Sequence, residues 1–248
     1  MRAGNMQAGN MQVGNADRVT AAEVARFDAL AAQWWDPRGP MRPLHQMNPL
    51  RVGWIDERIR RRFDGGARLL DIGCGAGLAA ETLAMRGHDV LGLDAAPAAI
   101  AAATAHAAGQ GLTLDYRAGL AEDLLAEAGR FDVVTALEVI EHVPDAQRFV
   151  RTLAALLRPG GLLFVSTLNR TARSFVVAIV GAEYVARMLP RGTHDWRRFV
   201  TPAELSAAMR GAGLRMTEVA GMLPDLRRGG WRIGRDTAVN YIAEAKLS

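Results

Sequence analysis

Two stretches of this chain combine residue types that can do chemistry. In the first, Leu69-Leu70-Asp71-Ile72-Gly73-Cys74-Gly75-Ala76-Gly77 reads as a strand running into a glycine turn that opens a helix. Glycines permit positive φ and let a ligand approach the backbone, as a nucleotide-like cofactor at the carboxyl end of a strand requires. A dinucleotide fingerprint needs a third glycine where this chain has Leu78, and no Lys-Ser/Thr follows to make a phosphate-binding P-loop. A second strand, 88–93, ends in Asp94, a carboxylate placed to accept both ribose hydroxyls of such a cofactor. In the second stretch, Glu138, Glu141 and His142 stand at i, i+3 and i+4, and they share one face if the segment is helical. Two carboxylates and an imidazole suit Mg²⁺ or another divalent cation; the other reading makes His142 a direct general base. His194 is a further candidate base, or it simply positions its own segment.

The elements that position these residues begin after Asp64-Gly65-Gly66. Hydrophobic patterning predicts strands at 67–73, 88–93, 112–117, 131–136 and 161–167, alternating with helices at 77–87, 97–109, 121–128 and 145–158. That alternation predicts an α/β fold, a doubly wound, mainly parallel sheet with helices on both faces. Thr201-Pro202-Ala203-Glu204 is a capping box for a helix stopping at Gly211 or Gly213, and strands near 214–221 and 237–246 bring the sheet to seven. Ahead of the sheet, Val24, Phe27, Leu30, Ala31 and Trp34 have helical spacing over 20–35. After a Pro/Gly break at 37–43, Asn48 caps a helix with Pro49 in its first position, running to about Phe63. These helices make a cap over 17–63. Residues 1–16 repeat Ala-Gly-Asn-Met-Gln and read as a disordered tail, with Met6 and Met11 as alternative starts.

Composition narrows the class. The 248 residues are half hydrophobic and 23% charged, which suits one domain over 17–248. The net charge of +4 comes from arginines interspersed with acids, with Lys246 the single lysine, so no basic stripe forms. Cys74 stands alone, which excludes an internal disulfide and a cysteine-based zinc cluster. The chain shows no signal peptide and no uncharged run of roughly 20 apolar residues, so a cytoplasmic protein is expected.

The DxGxGxG turn at 71–77 resembles that of class I S-adenosylmethionine-dependent methyltransferases, in which the loop accommodates the methionine portion of the cofactor. By that resemblance Asp71, Gly73, Gly75 and Gly77 belong to the cofactor site. Gly119-Leu120-Ala121-Glu122 looks like the loop along the adenine, so Ala121 and Glu122 join it, and Leu137 covers the adenine or reaches the methionine moiety through its backbone. Nucleic-acid aminomethylating enzymes often carry Asn/Asp-Pro-Pro-aromatic after the fourth strand. This chain has Leu137-Glu138-Val139-Ile140 there, with no platform for a flipped base, so the acceptor is expected to be a small molecule and not nucleic acid.

A narrower resemblance rests on Trp34-Trp35-Asp36, Pro43-Leu44-His45, Asn48-Pro49-Leu50-Arg51, Ser166-Thr167-Leu168-Asn169-Arg170, Val180-Gly181-Ala182-Glu183-Tyr184 and Gly192-Thr193-His194-Asp195-Trp196. Together, from about Val19 to the C-terminus, these resemble the ubiquinone-biosynthesis O-methyltransferases. The resemblance implies both O-methylations of that pathway, on 2-polyprenyl-6-hydroxyphenol and 3-demethylubiquinol. It also implies cofactor contacts from Arg51, Gly73, Asp94 and Leu137, with Arg51 able to pair with the methionine carboxylate. A divalent ion on Glu138, Glu141 and His142 would chelate the diol and lower its pKa. Remaining readings are a methyltransferase for another phenol or a carbon acceptor, and a non-catalytic, membrane-attached scaffold of a quinone-biosynthesis complex.

A polyprenyl substrate resides in the bilayer, and residues 170–200 read as a helical insertion near it. Ser174–Pro190 is apolar apart from Glu183 and Arg187, and is too short and too charged to span a membrane. Arginines at 170, 173, 187, 191, 197 and 198 outnumber Glu183 and Asp195, which suits peripheral contact with an anionic inner membrane face. The alternative is a buried helix over the active site. Arg227–Arg232 is expected to form another edge of the substrate entrance.

Overall fold

In the computed structural model, which describes residues 21–176, 195–225 and 230–248, β1 (Arg68–Ile72) is buried from Leu69 onward. It is flanked on both sides by parallel neighbours, β2 (Asp89–Asp94) and β4 (Phe131–Leu137). A strand covered on both faces needs a near-continuous apolar run, and Leu69, Leu70, Val133, Val134 and Ala136 supply it at no measurable exposure. β3 (Asp115–Ala118) lies outside β2, and β5 (Leu157–Leu168) lies beside β4, both parallel. Antiparallel strands β6 (Leu214–Pro224), β7 (Trp231–Gly234) and β8 (Asn240–Leu247) complete the order β3-β2-β1-β4-β5-β8-β6-β7. The doubly wound α/β sheet is as the patterning predicts, with eight strands instead of seven. The additional edge strand, β7, takes in Trp231 and Arg232, which the sequence placed at a substrate entrance.

Among the described residues, seven α-helices flank the sheet. α1 (Ala21–Leu30), with a 3₁₀ turn at Ala31–Gln33, and α2 (Arg42–Arg62) form the cap. α3 (Leu78–Ala84) and α4 (Pro97–Gly109) follow β1 and β2. α5 (Ala146–Leu156) follows β4, α6 (Ala172–Ser174) follows β5, and α7 (Pro202–Gly211) precedes β6. α2 and α3 pack on one face through Val52, Ile55, Ile59 and Leu83, whereas Phe149, Leu153, Leu205 and Met209 of α5 and α7 pack on the other. Thr201 caps α7 as its capping box predicts, exchanging bonds with Glu204.

Several boundaries differ from the patterning for identifiable reasons. α2 starts at Arg42 with Pro43 in its first turn, and Pro49 lies inside it. Asn48 is therefore no cap: its side chain is buried and donates to Leu78 O and Thr82 Oγ1, tying α2 to α3. Residues 121–127 form a 3₁₀ turn in place of a helix. The segment 138–142 is not one helix, because Glu138 ends β4 at φ 60° and only Ile140–His142 turn, as 3₁₀. The disordered tail at 1–16, most of the 170–200 insertion, including Val177–Pro190 and His194, and Arg227 and Arg228 lie outside the described residues.

Candidate active site

Sheet register gathers the candidate residues at one edge. Ile72 of β1 stands beside Leu93 of β2 and Ala136 of β4, Asp71 beside Thr135, and Leu137 of β4 beside Ser166 of β5. The carboxyl ends of β1, β2, β3 and β4 open into one cavity, the expected ligand position for an open α/β sheet. Arg51, Asp71, Gly73, Asp94, Ala121, Glu122, Leu137, Glu138, Glu141 and His142 all line it. Gly75 and Gly77 support it from behind. Gly77, at φ 91°, opens α3, and the Gly75 amide donates to Asp94 Oδ2 at 2.8 Å.

The glycine turn needs its residue types at two positions in particular. Gly73 adopts φ 68° with Val139 packed on it, so a Cβ there would lie 2.4 Å from Val139 Cγ2. Gly75 adopts φ 55° and a Cβ would lie 2.1 Å from a ring carbon of Trp34. Asp94 is fixed by amides on both sides, accepting from Gly75 N and, through Oδ1, from Ala96 N at 2.8 Å. Burial raises its carboxyl from the ordinary value, opposed by those amides.

Arg51 and Asp71 form the electrostatic centre. Arg51 is buried on α2, and its Nε donates to Asn48 Oδ1 at 3.0 Å. Its Nη1 is buried without a protein partner. Burial lowers the guanidinium from its ordinary value, opposed by the charges of Glu138 and Asp71. Asp71 Oδ1 accepts from Thr135 Oγ1 at 2.6 Å, whereas Oδ2 has no partner. Burial pushes the Asp71 carboxyl up to about 6, against the pull of Thr135 and Arg51. A buried cationic donor and a buried anionic acceptor, each with one unpaired atom, complement the carboxylate and ammonium of an amino-acid moiety. The residues fit the methionine end of S-adenosylmethionine.

The acidic half of the cavity leans on β5. Glu138 Oε1 accepts from Ser166 Oγ at 2.7 Å, and Glu141 Oε2 from Thr167 Oγ1 at 2.8 Å. Glu138 is the one non-glycine with positive φ among the described residues, a backbone strain that presents its carboxylate to the cavity. Burial and the Glu138 charge raise the Glu141 carboxyl, while His142 and Thr167 oppose them. The edge of Phe27 in α1 meets the His142 ring at 5.6 Å. As placed, these three side chains do not fit a resident cation, because among the described residues no three His, Cys, Asp or Glu side chains group as a ligand set.

Sequence reasoning missed several partners of this site. Thr135, Ser166 and Thr167 hold its carboxylates, Asn48 holds Arg51, and Phe27 and Trp34 roof it. Ser166 and Thr167 stand in the sequence only as motif residues, whereas Asn48 reads there as a helix cap and Trp34 as part of an apolar helix face. Thr135, the register partner of Asp71 on β4, carries no signal of its own in the sequence.

Comparisons with known proteins agree with this geometry. A methyltransferase-domain family model matches residues 45–219. The ubiquinone biosynthesis O-methyltransferase of Azorhizobium caulinodans is 52% identical over 237 residues, covering 92% of this chain and 94% of that protein. The protein of the same name from Marinobacter nauticus is 46% identical over 227 residues, covering 90% and 94%. In fold, the chain is similar to magnesium protoporphyrin IX methyltransferase from Synechocystis PCC 6803 with bound SAH, at TM-score 0.62 and 19% identity, covering 90% of this chain and 94% of that one. Near-full-length identity of this order, on a site that fits the cofactor, shows that the chain belongs to the ubiquinone biosynthesis O-methyltransferase family of S-adenosylmethionine-dependent enzymes.

Proposed function

We propose that this chain transfers methyl groups from S-adenosylmethionine to catechol-type hydroxyls of polyprenylated ubiquinone precursors, both 2-polyprenyl-6-hydroxyphenol and 3-demethylubiquinol. The observation that carries this reading is one cavity shared by the unpaired Arg51 and Asp71 atoms and by Glu138, Glu141 and His142. When bound, S-adenosylmethionine supplies an electrophilic methyl on a sulfonium. Arg51 and Asp71 hold its amino-acid end, Asp94 accepts from the ribose, and Leu137, Ala121 and Glu122 wall the adenine. Gly73, Gly75 and Gly77 allow the backbone to approach.

The acceptor hydroxyl must lose its proton as oxygen attacks. His142 takes that proton, held at the cavity edge by Phe27. The bound sulfonium would give up its methyl group to that oxygen and leave as the neutral thioether, while the imidazole of His142 keeps the hydroxyl's proton. Glu138, braced by Ser166, positions the neighbouring hydroxyl. The test is turnover of short-chain demethylubiquinol by His142→Ala. A loss of about 10²-fold or more with S-adenosylhomocysteine binding intact is expected, and near-normal turnover would remove His142 from the chemistry. Turnover is expected to survive EDTA; its loss would show that Glu138, Glu141 and His142 regroup around a cation.

The acceptor's tail favours docking to an anionic membrane surface. No helix among the described residues is long and apolar enough to cross a membrane. Phe175 and Val176, leading into the apolar stretch, are 43% and 58% exposed next to Arg173, which supports peripheral contact there. The same surface would bring the chain to other enzymes handling that tail, in a quinone-biosynthesis complex.

A further inference from the structure

Trp34-Trp35 joins α1 to α2 and is a motif to which the function assigns no role. In the glycine turn, Gly73 N and Cys74 N donate to Leu93 O, Gly77 N donates to Cys74 O, and Gly75 N donates to Asp94. All of these partners belong to the sheet or to the turn itself. The Ala76 carbonyl is different: it accepts from the Trp35 indole Nε1 at 3.0 Å, across 41 residues of sequence. Ala76 is fully buried, and the adjacent Gly75 lies against the Trp34 ring. The cap thus grips the turn by one directed bond and one close contact.

Trp35 is itself held on both sides by histidines. Its ring stacks on His106 of α4 with centroids 3.4 Å apart and planes 4° from parallel. It meets His45 edge-on at 6.0 Å, and His45 Nε2 lies 2.8 Å from Trp34 O. His106 Nδ1 lies 3.0 and 2.9 Å from the two carboxylate oxygens of Glu81, a buried residue of α3. Glu81 N in turn donates to Gly77 O. The contacts close a ring: Ala76, Trp35, His106, Glu81, Gly77.

We propose that Trp35 is a positioning residue for methyl transfer, clamped on His106 and fixing the Gly73–Gly77 turn in its cofactor-binding shape through the Ala76 carbonyl. The inference rests on the reading of that turn as the S-adenosylmethionine site. Trp35 does not touch the acceptor chemistry, so its effect falls on cofactor binding and not on the rate at saturation.

The test is steady-state kinetics on the full chain, together with calorimetric binding of S-adenosylhomocysteine, which reads the turn without requiring turnover. Trp35→Phe keeps a ring for stacking and removes the indole N–H. It is expected to raise the cofactor KM and the S-adenosylhomocysteine Kd by about 3- to 10-fold, with kcat within about twofold. His106→Ala is expected to act in the same direction, and the double variant Trp35→Ala/His106→Ala to bind no more weakly than Trp35→Ala alone. Wild-type binding by Trp35→Phe, a fall in kcat and Tm at unchanged cofactor KM, or additive losses in the double variant would each overturn the clamp. A wild-type chain that binds no S-adenosylhomocysteine would overturn the cofactor reading itself, and the clamp with it.

Discussion

Arg51 is one of six arginines on α2, and only its surroundings single it out. Arg60 and Arg61 pair with acids along the helix surface, whereas Arg51 is buried with a free Nη1. Replacing it with leucine removes a charge-assisted contact to a carboxylate, so S-adenosylhomocysteine is expected to bind about 10- to 100-fold more weakly by calorimetry. An unchanged Kd would place the methionine end elsewhere. From sequence the position was legible only through the family motif, because helical spacing cannot tell a buried arginine from its neighbours.

Asp71 makes a second residue-scale prediction. Its folded carboxyl titrates at about 6 against an ordinary 3.8, so the folded state binds more protons and this group costs stability above that range. At pH 7 the cost is roughly 2–3 kcal/mol. Asp71→Asn keeps the Thr135 bond and is expected to stabilise the cofactor-free protein by an amount of that order. The gain should shrink as pH falls through 6 and vanish below about 4, while cofactor affinity drops. Denaturant unfolding at pH 4, 6 and 7 checks the sign; a variant less stable than wild type at pH 7 would contradict it. Glu141 titrates in the same direction in both proteins and cancels from the difference.

At the scale of elements, the parallel strands and the capped α7 could be read directly, because buried apolar runs and Thr201–Glu204 are local signals. The start of α2 could not. Asn-Pro looks like a helix entry, yet here the tertiary bonds of Asn48 to Leu78 and Thr82 of α3 outweigh the break at Pro49. Asn48→Ala is expected to cost about 2 kcal/mol in unfolding and to weaken cofactor binding by loosening Arg51. A thermal scan with and without S-adenosylhomocysteine separates the two effects. The segment after β4 misled for another reason. The i, i+3, i+4 spacing of Glu138, Glu141 and His142 suggests a helix, but the bond of Glu138 N to Ser166 O ties Glu138 to β5 just past the end of β4, at φ 60°. Ser166 and Thr167 entered the site through β4–β5 register, which no single segment reveals.

Across the described part of the molecule, the cap and the carboxyl edge of the sheet converge on one end. Arg58 shows how the cap is fastened away from that end. It is buried, lies 3.6 Å over the Trp54 ring, and its Nε donates to Glu218 of β6 at 3.0 Å. Arg58→Ala is expected to destabilise the fold by about 2–3 kcal/mol with kcat unchanged, since it lies outside the cavity. For the proposed membrane face, co-sedimentation with phosphatidylglycerol vesicles is expected to weaken as salt rises. Equal binding to neutral vesicles would leave only apolar insertion.

The central claim concerns which atom receives the methyl group. Wild-type protein supplied with methyl-labelled S-adenosylmethionine and short-chain demethylubiquinol should place the label on the free ring hydroxyl oxygen, identified by NMR of the product. Label on a ring carbon, or no labelled product while S-adenosylhomocysteine still binds, would contradict the account.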